Sequence, residues 1–338
     1  FTWEKVQTKN IGLDYSFLRD RLNGSFDYFL TAIKDILVAG PQLPDVLGTA
    51  APSGNYADVK SHGYELSINY RDKALNGKLS YSVTFTWANS SNVEVTRYQN
   101  NPTKSLSDFY VGSHIGDFWG FRNQGFYATD AEAQAVNNSA LAGYKWLAGD
   151  IKYLDVNKDG KIDYGKGTVS SPGDQQLIAN TTPHNKIGLN LNVSYQGWDF
   201  TSFFQGVLKH DFYPNEYVFY AFRDDEYSIP SQFALNYWTP THTNSFFPRL
   251  RFAGGGNEQK QDKYILNAAY LRVKQLTLGY TLPRAATNRL HLQRVRFYVT
   301  GQNLFTFTPL NKNYDPEVVG FNTYPLNKSV SFGLQVGL

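Results

Sequence analysis

The residues best suited to do chemistry lie between positions 155 and 163. Asp155, Asn157, Asp159 and Asp163 present side-chain oxygens at the first, third, fifth and ninth places of a loop, with Gly160 among them and the Lys161 carbonyl at the seventh. Hard oxygen donors at that spacing suit Ca²⁺ or Mg²⁺. The twelfth place is Lys166, where an EF-hand needs a bidentate Glu, so this is not a regular EF-hand. The same residues also make an Asx-rich turn held by its own side chains. Calcium binding by the 155–163 loop and a self-held turn are both open at this point.

Aromatic rings form the second group. The chain has 24 Tyr, 24 Phe and 6 Trp, while charged residues make up only 18%. One cluster, in 109–127, includes Trp119, Phe121, Phe126 and Tyr127. Another, in 212–222, includes Tyr217 and Tyr220, and Trp238 follows it. Surface rings stack on sugars or anchor a protein partner. These seven residues are therefore candidates to face a substrate or a lid. Packing of the loops against one another is the alternative.

Catalytic chemistry finds little support. There is no Cys, which excludes disulfides, Fe–S clusters and thiol catalysis. The 6 His fall into no H-E-x-x-H pattern, and no G-x-S-x-G elbow is present. Gly254-Gly255-Gly256 sits in a polar loop and not between a strand and a helix. Asp224, Asp225 and Glu226 read as a solvated charged patch. A net charge of +3 argues against a nucleic-acid partner. The chain is not expected to be an enzyme.

The elements that must position these residues have a period of two. Val330, Phe332, Leu334, Val336 and Leu338 alternate with Ser, Gly and Gln, and Leu79 to Trp87, Ile187 to Tyr195 and Tyr64 to Tyr70 repeat the pattern. Leu271 and Val273 are odd whereas Leu276, Leu278 and Tyr280 are even, which predicts a bulge near Lys274 and Gln275. Nine long strands are expected at about 5–17, 22–37, 58–71, 78–96, 184–196, 198–209, 263–282, 292–306 and 328–338. Their connections alternate between short turns and long loops, the latter at about 38–57, 97–183, 210–262 and 307–327. Sorting of loops by side is the layout of an all-β transmembrane antiparallel barrel with its long loops extracellular. Tyr70, Trp87, Tyr195, Trp198 and Tyr280 would form its interfacial girdle, in contact with outer-membrane lipid. An odd strand count, an unpartnered first strand and the absence of Met lead to the expectation of a C-terminal part of a larger barrel.

A family resemblance is carried by several stretches. They are Trp3-Glu4-Lys5 leading to Asn10-Ile11-Gly12-Leu13, Gly63-Tyr64-Glu65-Leu66, Gly149-Asp150-Ile151-Lys152-Tyr153 with Asp155 to Gly160, and Asn180-Thr181-Thr182-Pro183. Further on come Tyr237-Trp238-Thr239-Pro240, Tyr270-Leu271-Arg272 through Leu278 to Pro283, Gly301-Gln302-Asn303-Leu304 and Tyr314-Asp315-Pro316-Glu317. In this order they resemble the SusC/RagA-like branch of TonB-dependent outer-membrane transporters of Bacteroidetes-type bacteria. The family ends its last strand in an aromatic residue, usually Phe, where this chain has Leu338. The resemblance implies a 22-stranded barrel in the bacterial outer membrane, of which residues 1–338 would supply roughly the last nine strands. A plug domain and the segment that contacts TonB would lie outside this chain. It also implies a SusD-like lid lipoprotein as partner, large loop–lid contacts, and import of oligosaccharides or peptides. A passive porin and a soluble β-rich glycan-binding protein are the rival readings.

Overall fold

The computed structural model describes residues 2–338 apart from 42, 45, 47, 50, 215–218, 221–231, 253–254, 290, 321–323 and 325, and apart from the side chains of residues 91 and 233. The period-two segments fold as strands. In chain order these begin with β1 (Lys5–Phe17), β2 (Leu22–Val38), β3 (Gly54–Ala74) and β4 (Leu79–Tyr98). The next connection carries β5 (Asp117–Phe121), β6 (Asn123–Phe126), α1 (Asp130–Ala135), β7 (Ile151–Tyr153) and β8 (Gln175–Asn180). Then come β9 (His184–Tyr195), β10 (Trp198–Lys209), β11 (Asp211–Phe212), β12 (Leu266–Asn267), β13 (Tyr270–Thr281), α2 (Arg284–Arg289), β14 (Arg294–Phe307) and β15 (Ser329–Gly337).

Nine of these strands make one antiparallel sheet in the order β1-β2-β3-β4-β9-β10-β13-β14-β15. Each long strand pairs with the next long strand in sequence, an up-and-down meander. The small pairs β5–β8, β6–β7 and β11–β12 lie outside it. Short turns join one end of the sheet. Leu75 and Asn76 have φ of 52° and 54°, and Gln196 and Gly197 have 47° and 91°, as tight hairpin turns require. The expected bulge is present, with the β13–β14 register shifting between Val273 and Gln275.

Register sorts the side chains into two faces. Tyr195 lies opposite Trp198, Trp198 opposite Tyr280, Tyr280 opposite Phe297, and Phe297 opposite Leu334. One row further from the turns run Val193, Phe200, Leu278, Val299 and Phe332. This face is open: Ile11 is 79% exposed and Phe332 85%. A water-soluble sandwich would cover such a face with a second sheet; a barrel leaves it to lipid. The Trp198 and Tyr280 rings, 4.8 Å apart, begin the apolar band. The other face is a polar ladder. Thr201 donates to Asn192 (3.1 Å), Thr277 and Thr300 share a hydrogen bond (2.9 Å), and Asn69 donates to Thr84 (2.7 Å). The sheet is part of a transmembrane barrel wall. No described helix is long and apolar enough to cross a membrane, which is irrelevant to a protein that crosses with strands.

Two strand limits differ from the sequence reading. The stretch expected to begin β13 at 263 folds instead as a 3₁₀ turn at Asp262–Tyr264 followed by β12, and the strand starts at Tyr270. Leu266 and Asn267 are drawn off to pair with Phe212 and Asp211. β3 begins early, at Gly54, and with 21 residues runs roughly 70 Å along its length. That is more than the ~30 Å hydrocarbon layer demands even at a steep tilt.

Candidate functional site

The connection from β4 to β9 and the connection from β10 to β13 emerge at the same end of the sheet and fold into one unit. Phe121, Tyr127, Trp146, Ile151 and Tyr153 from the first share a core with Tyr213, Phe219, Tyr220, Phe247 and Tyr264 from the second. Phe121 meets Tyr153 tilted at 5.2 Å, Phe219 meets Tyr264 edge-on at 5.5 Å, and Phe247 stacks on Tyr264 at 5.6 Å. Burial pushes the Tyr153, Tyr220 and Tyr264 phenols well above the ordinary tyrosine range.

Polar groups at the seam fix how the two connections meet. Asp150 is fully buried, and its carboxylate accepts from Arg251 Nε and Nη2 (both 2.6 Å), from Asn257 Nδ2 (3.0 Å) and from the Leu147 N–H (2.8 Å). The Asn257 side-chain oxygen takes the Ile151 N–H at 2.8 Å, and Tyr153 donates to the Gly256 carbonyl at 2.8 Å. Asp262 accepts from the Asn123 N–H and from Arg122, at 2.9 and 3.2 Å. A buried charge with this many donors is satisfied, and a bidentate guanidinium gives it direction.

The aromatic candidates sit as follows. Phe121, Tyr127, Tyr220 and Trp238 are buried, at 1, 0, 5 and 8% exposure. Tyr127 accepts a hydrogen bond from Asn138, and Tyr220 shares one with Tyr213. Trp238 covers Gly149, where a Cβ would lie 2.2 Å from a ring carbon and φ is +84°. Trp119 is half-buried on β5 and donates to the Tyr110 hydroxyl at 3.2 Å. Phe126 is half-buried, with the Lys263 ammonium 4.2 Å from its ring centre. Burial pushes the Lys263 pKa down. Tyr217 lies outside the described residues, as do Asp224, Asp225 and Glu226.

In the 155–163 loop the side-chain oxygens face the backbone. Asp155 accepts from the N–H groups of Lys158, Asp159 and Gly160, at 2.6, 3.2 and 2.8 Å. Asn157 Oδ1 accepts from the Asp159 N–H, Asp159 from the Lys161 N–H, and Asp163 from the Gly165 N–H. Each of these side chains closes a local turn. Among the described residues no group of three or more His, Asp or Glu converges to hold a metal ion. Asp174, absent from the sequence reading, closes the loop from outside by accepting from Val156 and Asp163 N–H groups; its burial pushes its pKa up.

Beside this unit lies an open cleft of about 550 Å³. Phe219, Phe246 and Phe247 form an apolar wall, and Leu266, Pro309 and Leu310 another. Gln232, Asn236, Asn267, Asn311 and Asn313 supply amides, and among the described residues that line it none is ionisable. These amides come from three separate stretches with no common spacing, so nothing in the sequence pointed to them.

Comparison with known proteins places this architecture. Residues 1–153 match the family described as TonB dependent receptor-like, beta-barrel. Over 99% of its length the chain is 28% identical to TonB-dependent receptor P3 of Formosa agariphila and 27% identical to TonB-dependent receptor SusC of Bacteroides thetaiotaomicron. It covers 33% and 32% of them, so it spans about a third of the length of these curated relatives. Among solved structures, the RagAB peptide transporter aligns with a TM-score of 0.76 at 21% identity, over 100% of this chain and 36% of that one. The RagAB importer in its open-open state gives 0.76 at 22% identity, over 100% and 35%. Over nearly its whole length the chain is thus similar to TonB-dependent receptors, SusC among them, and it shares the outer-membrane β-barrel fold of the RagAB structures.

Proposed function

We propose that the whole protein imports a large nutrient, an oligosaccharide or a peptide, across the outer membrane in a TonB-dependent cycle, with a SusD-like lipoprotein as lid. The observation that carries this reading is the alignment of nearly the entire chain with TonB-dependent receptors, SusC among them. In this reading the long connections face the outside and the short turns the periplasm. The fused loop unit is a preformed platform near the mouth. The amides and rings described along the cleft suit the neutral parts of either substrate, sugar hydroxyls or peptide amides. Leu235 and Phe252, 68% and 63% exposed on the second connection, are apolar surface that a lid would cover.

The test uses cells carrying the intact transporter. Uptake of labelled oligosaccharides and peptides is measured with and without a protonophore, and with the neighbouring lipoprotein gene deleted. Active import stops when the proton-motive force collapses. Uptake that continues unchanged identifies a passive channel and defeats the proposal. Protease added outside should nick the long connections before the turns at 73–77 and 283–291; the reverse order inverts the topology.

A further inference from the structure

The lipid-facing side of β1 to β3 changes character at one level. On β1, Phe17, Tyr15, Leu13 and Ile11 are followed on the same face by Lys9 and Gln7. On β2, Phe26 and Tyr28 lead to Leu30 and Ala32. On β3, Leu66 and Tyr64 give way to His62 and Lys60. Register aligns the switch across the strands: Lys9 is opposite Leu30 and Leu30 opposite His62, while Gln7 is opposite Ala32 and Ala32 opposite Lys60. Together they line an open groove of about 410 Å³ at the end of the apolar band nearer the long connections. Strand spacing puts the Lys9 and His62 backbones about 10 Å apart across Leu30, a gap that a lysine side chain can close.

The groove has an apolar floor continuous with the lipid-facing band, and its rim is basic. Lys9 is exposed and has no ion pair among the described residues. Lys60 meets Glu94 at 2.9 Å yet keeps 57% of its side chain exposed. The His62 ring lies against the Asn92 amide, whose Nδ2 is 2.9 Å from Nε2 and 3.5 Å from Nδ1. Cations just beyond a hydrocarbon-facing surface meet lipid phosphates.

We propose that this groove binds the phosphorylated headgroup of an outer-leaflet glycolipid. Lys9 and Lys60 hold the phosphate as point charges, and the acyl chains run down over Leu30, Tyr28 and Phe26. The inference rests on the long connections facing outward, which the protease experiment tests separately. Glu94 competes with the phosphate for Lys60, which gives the proposal a signed test.

The intact transporter in phosphatidylcholine nanodiscs is titrated with lipid A, and bound lipid is counted by native mass spectrometry. Lipid A is expected to bind more tightly than phosphatase-treated lipid A. Lys9→Gln weakens binding by roughly fivefold, the worth of one lysine near a charged headgroup, and Glu94→Gln strengthens it. Both variants change side chains on the sheet surface, so the barrel assembles as in the parent. Equal binding of the treated lipid, or two variants that leave affinity unchanged or move it the same way, overturns the proposal. Displacement of the lipid by millimolar inorganic phosphate makes the groove a free-anion site and overturns it as well.

Discussion

Phe332→Arg tests the assignment of faces. The Phe332 side chain is 85% exposed on the apolar face, one row from the aromatic row of Trp198, Tyr280 and Phe297, and its cross-strand neighbour is Val299. An arginine between the girdle and the bilayer midplane costs about 2 kcal/mol. Loss of the ring's transfer into lipid adds about 2 kcal/mol. The sum, about 4 kcal/mol, lowers the folded-to-unfolded ratio by roughly a thousandfold. Ser331 lies opposite Thr300 on the polar face, and Ser331→Arg there should stay within about 0.5 kcal/mol. Urea titration of the full-length protein in lipid vesicles, followed by the heat-modifiable gel shift, reads both. If Ser331→Arg is the more damaging, the faces are inverted and the argument from open apolar exposure fails.

Asp150→Ala leaves Arg251 without its buried partner; a broken buried pair costs about 3–5 kcal/mol, here confined to the loop unit, and should appear as rapid proteolysis of 99–183 and 210–269 around an intact barrel. Gly149→Ala forces a side chain into the Trp238 ring at φ +84° and should open the same unit, measured by hydrogen exchange. The buried phenols of Tyr153, Tyr220 and Tyr264 have folded pKa values above the ordinary 10, so their contribution is full below pH 10 and is lost as pH rises through the folded values; alkaline titration at 295 nm should show these rings ionising last, as the loop unit melts. Asp155→Ala removes the acceptor of three turn N–H groups and should loosen residues 155–163 by about 1–3 kcal/mol, while calcium leaves the melting of the parent loop unchanged. A calcium-induced rise that Asp159→Ala abolishes would make the loop a metal site.

The strands were legible nearly to the residue because one physical constraint, a lipid face opposite a polar face, writes a period of two into every membrane-crossing segment. Lys5–Phe17 and Trp198–Lys209 begin and end where the alternation does. The pattern misled at 263–269, where Tyr264 and Leu266 alternate but serve the loop core and the β11–β12 pair. Loops obey no such period. Their rings could be found by residue type, yet Trp238 is covered at Gly149 and Tyr153 at Gly256, each on the other connection, and no local spacing encodes that. Asp150 and Arg251 are likewise ordinary charges in sequence and become a buried pair only after the two connections meet. The SusC/RagA-like stretches Gly149 to Tyr153 and Tyr237 to Pro240 are explained by that meeting, since Trp238 packs on Gly149.

The shared core of the two connections also orders assembly. Phe121, Tyr127 and Tyr153 are separated from Tyr213, Phe247 and Tyr264 in the chain by β9 and β10. The first connection therefore has no complete core of its own. It must wait, with its rings unburied, until the β9–β10 hairpin has entered the sheet and delivered the second connection to the same end. Loop folding is thus gated by strand insertion, and a defect in that hairpin should surface as an unfolded loop long before the barrel itself fails.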